Sequence, residues 1–262
     1  MKTKTLLVVM MALMIIPQFL CAKPKREKQE FYQLTVYHFT TVDQEKILDD
    51  YFQQALIPSL HEMGVRSVGV FKAIANDTSA NKSIYVFIPV KTLNRIDEIN
   101  RELVKNKKFM SAGKEYLNVA HNAPAYTRME RIILKAFALS PVMRLPKLTS
   151  PNNERVYELR SYESAGEVIF RNKVHMFNEG GEMDIFTKLN FNAVFYGEVV
   201  AGSQMPNLMY MTTFENRGER DAHWAAFGID PDWKQLSSLP EYKNNVSHID
   251  VTFLRPADYS DF

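Results

Sequence analysis

The sequence predicts an α+β fold: two tandem ferredoxin-like modules, each running β-α-β-β-α-β, facing each other as a single-chain version of a two-module α/β barrel. Three observations predict it. The chain repeats itself at a near-constant offset, each half shows the same succession of strand-like and helix-like hydrophobic patterns, and a proline-rich stretch separates the halves. "FYQLTVYHF" from Phe31 and "VYELRSYES" from Val156 align Tyr32 with Tyr157, an offset of 125 residues. The same offset places Leu34 on Leu159, Tyr37 on Tyr162, Tyr85 on Tyr210 and Arg95 on Arg220. "VGVF" (Val68–Phe71) meets "NAVF" (Asn192–Phe195) one residue out of step, and "MERIILKAF" near Met129 resembles "HIDVTFLRP" near His248.

In chain order, residues 1–22 read as a secretory signal peptide. Lys2 and Lys4 supply its positive start, and the apolar run Leu6–Ile16 is shorter than the roughly 20 residues a spanning helix needs. Pro17 ends the run, and Ala22 offers a small residue for cleavage. Acylation of Cys21 is the rival reading, so export is expected either as a periplasmic or secreted chain or as a lipoprotein. Cys21 is the one cysteine, and cleavage after Ala22 leaves a mature chain without thiol or disulfide. The basic run "KPKREK" (Lys23–Lys28) then forms a solvated leader.

The first module is expected over residues 23–138. A strand begins at Phe31, and a helix follows with Ile47, Tyr51 and Ala55 beside Leu48, Phe52 and Leu56, closing near Pro58. Strands near Val68–Ala75 and Ser83–Pro89 flank the polar loop "NDTSANK". Residues 139–154, "LSPVMRLPKLTSPNNE", carry three prolines and read as a linker. The second module, residues 155–262, opens with a strand over 155–162. A helix starts near Gly166 with Phe170, Val174 and Phe177 on one face. "NFNAVFYGEVV" and "NLMYMTTF" form a hairpin, a second helix covers about 215–227, and "HIDVTFL" closes as a strand.

The second module also resembles the NIPSNAP family. The resemblance rests on "YELRSY", "LMYMTTFENRGERDAHW", "DPDW" and "LRPADYS", in order over Val156–Ser260. The first module is a diverged copy, with Thr35 where the second has Arg160, Ile99 at the position of Trp224, and nothing matching "DPDW". The resemblance implies the dimeric-type α/β barrel fold and little chemistry, because relatives on that fold range from cofactor-free monooxygenases and isomerases to proteins of no known reaction.

Candidate chemistry is sparse. By the period-two rule Glu158, Arg160 and Tyr162 share one strand face. They could pair at the end of the sheet, or line a polar ligand site with Tyr196 and Tyr210. On "ENRGERDAHW", helical spacing sets Arg217, Arg220 and Trp224 along one side with His223 nearby. Arg220 is the ligand-binding candidate there, against a packing role for the tryptophan. Asp230 should cap a helix that Pro231 begins, with Trp233 packed back on the module. His175, His223 and Glu158 are the candidate general bases. The six histidines are scattered and no metal is expected; haem ligation by His175 is a remote alternative implied by the fold family. With ten glycines and no phosphate loop or nucleophile elbow, no cofactor is expected. A formal net charge of +2 argues against nucleic acid, and no transmembrane segment is expected in the mature chain. The expected function is therefore small-molecule binding in the barrel, within an inter-helix pocket. A cofactor-independent monooxygenase or isomerase is the enzyme alternative. A protein-interaction module without ligand is the third, and a homo-oligomer is open.

Overall fold

The computed structural model describes residues 27–262; the predicted signal peptide lies outside them. The first module runs β1 (Phe31–Phe39), α1 (Val42–Tyr51), α2 (Ile57–Glu62), β2 (Gly69–Ala73), β3 (Lys82–Val90), α3 (Leu93–Leu103), α4 (Lys107–Ala112), α5 (Lys114–Leu117) and β4 (Arg128–Ala136). The second runs β5 (Val156–Glu163), α6 (Glu167–Asn178), α7 (Glu182–Lys188), β6 (Ala193–Ala201), β7 (Asn207–Phe214), α8 (Arg217–Ile229), α9 (Pro231–Ser238) and β8 (His248–Pro256). Each is a ferredoxin-like β-α-β-β-α-β unit with short extra helices. Between α1 and α2 the chain passes through a π-helical turn, Phe52–Leu56, with Ile57 N–H bonded to the Phe52 carbonyl. That wider turn lets the helix continue through Pro58, which cannot donate its own backbone bond.

The strands close into an eight-stranded antiparallel barrel ordered β1-β3-β2-β8-β5-β7-β6-β4. Two equivalent seams join the modules, β2 to β8 (Phe71 opposite Pro256) and β4 to β6 (Ala136 opposite Gly197). Closure removes every sheet edge, so neither module exposes an unpaired strand.

Alternation along β1 and β5 then decides what faces inward. Tyr32, Leu34, Tyr157 and Leu159 point into the barrel with Phe71, Phe87, Phe195, Met211 and Phe262. Tyr32 packs 5.3 Å from Phe195 and Tyr157 packs 4.9 Å from Phe71, so each module's first tyrosine rests on the other module's phenylalanine. Gly69 is required here, because a Cβ would fall 2.4 Å from the Phe71 ring. The barrel interior is thus filled by side chains. Two further apolar layers lie between the sheet and the helices, one in each module.

The register corrects four of the sequence matches. Thr35 opposes Val86 while Arg160 opposes Tyr210, so Val86 and not Tyr85 stands at the place of Tyr210. Gly197 rather than Phe195 corresponds to Phe71, since the seam residues Ala136 and Pro256 are equivalent. The helices α3 and α8 start after Thr92 and Asn216, which sets Ile96 at the place of Arg220 and Asn100, not Ile99, at that of Trp224. Arg95 falls one residue away, about 100° round the helix. It pairs with Glu98 and Glu102 and donates to the Met63 carbonyl.

Candidate functional site

In the second module β5 presents Glu158, Arg160 and Tyr162 to the helices, and α8 brings Arg220 and Trp224 down on them. Asn216 fixes the start of α8, its side chain accepting the Glu219 backbone N–H at 2.9 Å. Glu158 is fully buried. Its carboxylate accepts from Arg160 Nε at 2.7 Å, from Arg220 Nε at 2.7 Å and Nη2 at 2.8 Å, and from Trp224 Nε1 at 2.7 Å. Those four donors occupy the lone-pair directions a carboxylate offers. Burial raises the carboxyl, but the Arg220 hydrogen bonds and the Arg160 charge outweigh it and hold the group below its ordinary value. The Arg160 guanidinium lies 3.7 Å over the Trp224 ring and donates to Tyr162 Oη at 3.1 Å, and Tyr162 meets Tyr210 Oη at 2.8 Å. Burial pushes both phenols up, Tyr210 well above the usual range.

The anion that Arg220 clasps is therefore the protein's own. Glu158, Arg160, Tyr162, Tyr210, Arg220 and Trp224 make one continuous network. Trp224→Ala removes a ring packed 4.9 Å from Phe191 together with a donor to Glu158. A loss of about 3–5 kcal/mol is expected, to be read by chemical denaturation.

The remaining candidates stand apart. Tyr196 stacks on Tyr210 at 5.7 Å and borders a cleft on the linker side. His175 meets the Tyr242 hydroxyl through Nδ1 at 2.9 Å. His223 Nδ1 donates to the Glu219 carbonyl at 2.8 Å, with its ring against Phe191 and Phe214. In "DPDW" Asp230 caps α9 by accepting the Asp232 and Trp233 backbone N–H groups, and Trp233 packs 4.4 Å from Phe227.

Sequence reasoning missed a buried ion pair, Lys173 Nζ to Glu182 at 2.7 Å, both nearly inaccessible. A signal was present, since Lys173 falls inside the apolar stripe of Phe170, Val174 and Phe177. Glu163, His248 and Asp250 also converge at the adjoining ends of β5 and β8, where His248 pairs with Asp250 at 3.1 Å in solvent. Among the described residues no helix is long and apolar enough to cross a membrane.

The first module differs at the equivalent place. Gln33, Thr35, Tyr37, Val86, Ile96 and Asn100 replace Glu158, Arg160, Tyr162, Tyr210, Arg220 and Trp224. Shorter and less polar side chains leave a cavity of about 60 Å3, which these six border together with Tyr51, Arg131 and aliphatic groups. Beside it Tyr51 stacks on Tyr116 at 3.8 Å, and Tyr37 meets Tyr126 edge-on at 5.5 Å. The signal for this cavity lay in the mismatched positions of the repeat.

The family model described as NIPSNAP matches residues 157–261. The second module is a NIPSNAP domain. No curated protein matches the chain by sequence. Among solved structures, a "putative monooxygenase" from Lactobacillus acidophilus is 12% identical, with a TM-score of 0.57 over 87% of this chain and 94% of its own. A second protein so described, from Fusobacterium nucleatum, is 10% identical, with a TM-score of 0.54 over 87% of this chain and 93% of its own. An anthrone oxidase-like protein is 9% identical, with a TM-score of 0.51 over 88% and 93%. These likenesses share the two-module barrel across both halves. The NIPSNAP domain is thus the half with the closed polar network, and the unmatched half is the one with the cavity.

Proposed function

We propose that the protein is exported and binds a largely apolar molecule of only a few heavy atoms between the sheet and helices of its first module, with the NIPSNAP domain as the rigid half of the barrel. The carrying observation is the contrast at equivalent positions. Where Tyr210, Arg220 and Trp224 fill the NIPSNAP domain, Val86, Ile96 and Asn100 leave space. Aliphatic walls suit an apolar body, and Gln33, Thr35 and Asn100 offer hydrogen bonds to orient it. The charged start and the short apolar run of residues 1–22 support export.

Binding is favoured over catalysis by the groups that face the cavity. A general base needs a pKa near the working pH. Burial instead drives the Tyr37 and Tyr51 phenols far above their ordinary value, and Glu158 in the other module has its lone pairs engaged by four donors.

Val86→Phe tests the site by filling it. A ligand found by thermal-shift screening of the mature protein should raise its stability by about 2.7 kcal/mol at a hundred times its Kd. Folded Val86→Phe should lose that shift, and a full shift in the variant would place the ligand elsewhere. N-terminal sequencing should begin at Lys23.

A further inference from the structure

A second space in the molecule has different chemistry. Residues 139–148 do not run free between the modules. Glu30 accepts the Met143 backbone N–H at 2.9 Å, and the Arg144 backbone donates to the Val194 carbonyl at 2.9 Å. Further on, Glu215 accepts the backbone N–H groups of Thr149 and Ser150 at 2.9 and 2.7 Å. Leu145 to Leu148 therefore bridge two pinned points. Beneath them and the surface of α7, β6 and β7 lies a half-open cleft of about 960 Å3, at the upper end of the roughly 300–1,000 Å3 typical of ligand sites.

The two walls of the cleft differ. Leu139 and Leu145, on the strap of residues 139–148, give the cleft an exposed apolar rim, while Phe186, Phe191, Tyr196 and Met183 lie buried behind it. The strap also carries Arg144 and Lys147, and neither makes an ion pair among the described residues. Of the carboxylates bordering the cleft, Glu215 is spent on the strap's backbone and Glu219 accepts the Glu215 backbone N–H. Asp184 borders both this cleft and the neighbouring cavity against α9. Two uncommitted cations beside the exposed Leu139 and Leu145 match a molecule with an anionic head and an apolar body.

The geometry points to a second ligand site in this cleft, taking an amphipathic carboxylate with its head on Arg144 and Lys147 and its body on Leu139 and Leu145. The site is separate from the first-module cavity and stands whether or not that cavity is filled. The test is calorimetric titration of the mature protein with decanoate, with 1-decanol as the uncharged control. Decanoate should bind, at least tenfold more tightly than 1-decanol. Binding should weaken at least tenfold in an Arg144→Gln, Lys147→Gln double variant with unchanged melting temperature, and should weaken as salt rises. Val86→Phe should leave decanoate binding intact. No binding of decanoate, equal binding by the double variant, or loss of binding in Val86→Phe would each overturn the assignment.

Discussion

Glu158→Ala is expected to cost about 3–5 kcal/mol of stability, because it strands Arg160 and Arg220 beneath α8 without their shared carboxylate. For a chain of this size that corresponds to a fall in melting temperature of roughly 6–20 °C. Glu158 accepts four hydrogen bonds from three residues and is fully buried, so no water can replace it without opening the module. The pH dependence has a definite sign. The folded carboxyl lies below its ordinary value, so its contribution is complete above the unfolded carboxylate pKa of about 4.3 and is lost as pH falls through the folded one. The stability gap between the natural protein and Glu158→Gln should therefore be largest near neutrality and shrink below about pH 4. A gap that stayed constant down to pH 3 would mean that the arginines do not hold the charge.

Lys173→Met is expected to have an effect of similar size. It removes an ammonium that lies 4.7 Å from the Phe177 ring and leaves Glu182 buried with no counter-charge, where burial already raises the carboxyl. Removing one partner of such a pair costs about 3–5 kcal/mol, whereas replacing both by apolar groups is often neutral or better. Denaturant melts of Lys173→Met and of the Lys173→Met, Glu182→Leu double variant separate the two effects. The double variant should recover most of the loss. If the single variant were as stable as the parent, the pair would not be sealed from water.

The architecture was legible in the sequence because each module advertises it locally. The alternation of "YQLTVY" and "VYELRSY" gives a strand with two unlike faces, and the ordered repeat gives the partner for the buried face. The exact register was not legible. A single residue gained or lost in a loop leaves the hydrophobic pattern recognisable but turns the next strand or helix. Tyr85 and Arg95 therefore align with Tyr210 and Arg220 at a constant offset, whereas Val86 and Ile96 hold those places. The residues of the Glu158 network were all named from the sequence, and pairing among Glu158, Arg160 and Tyr162 was one reading, but the contacts from α8 were not legible, because Glu158 and Arg220 are 62 positions apart and only closure of the module brings them together. Lys173 and Glu182 were missed because a lysine on a helix ordinarily reaches solvent. The cleft under residues 139–148 depends on where a segment without regular structure is pinned, and no periodicity records that.

The central claim is that the two modules share one plan and differ in what lies between sheet and helix, a closed polar network in one and a small cavity with aliphatic walls in the other. A crystal structure of the mature protein under xenon pressure tests it most directly, since xenon enters dry apolar cavities. Xenon should lie between Tyr37, Leu60, Val86 and Ile99 in the first module, with none among Glu158, Arg160, Tyr210 and Trp224 in the second. Xenon in the second module's network, or a first module packed solid at that place, would contradict the account.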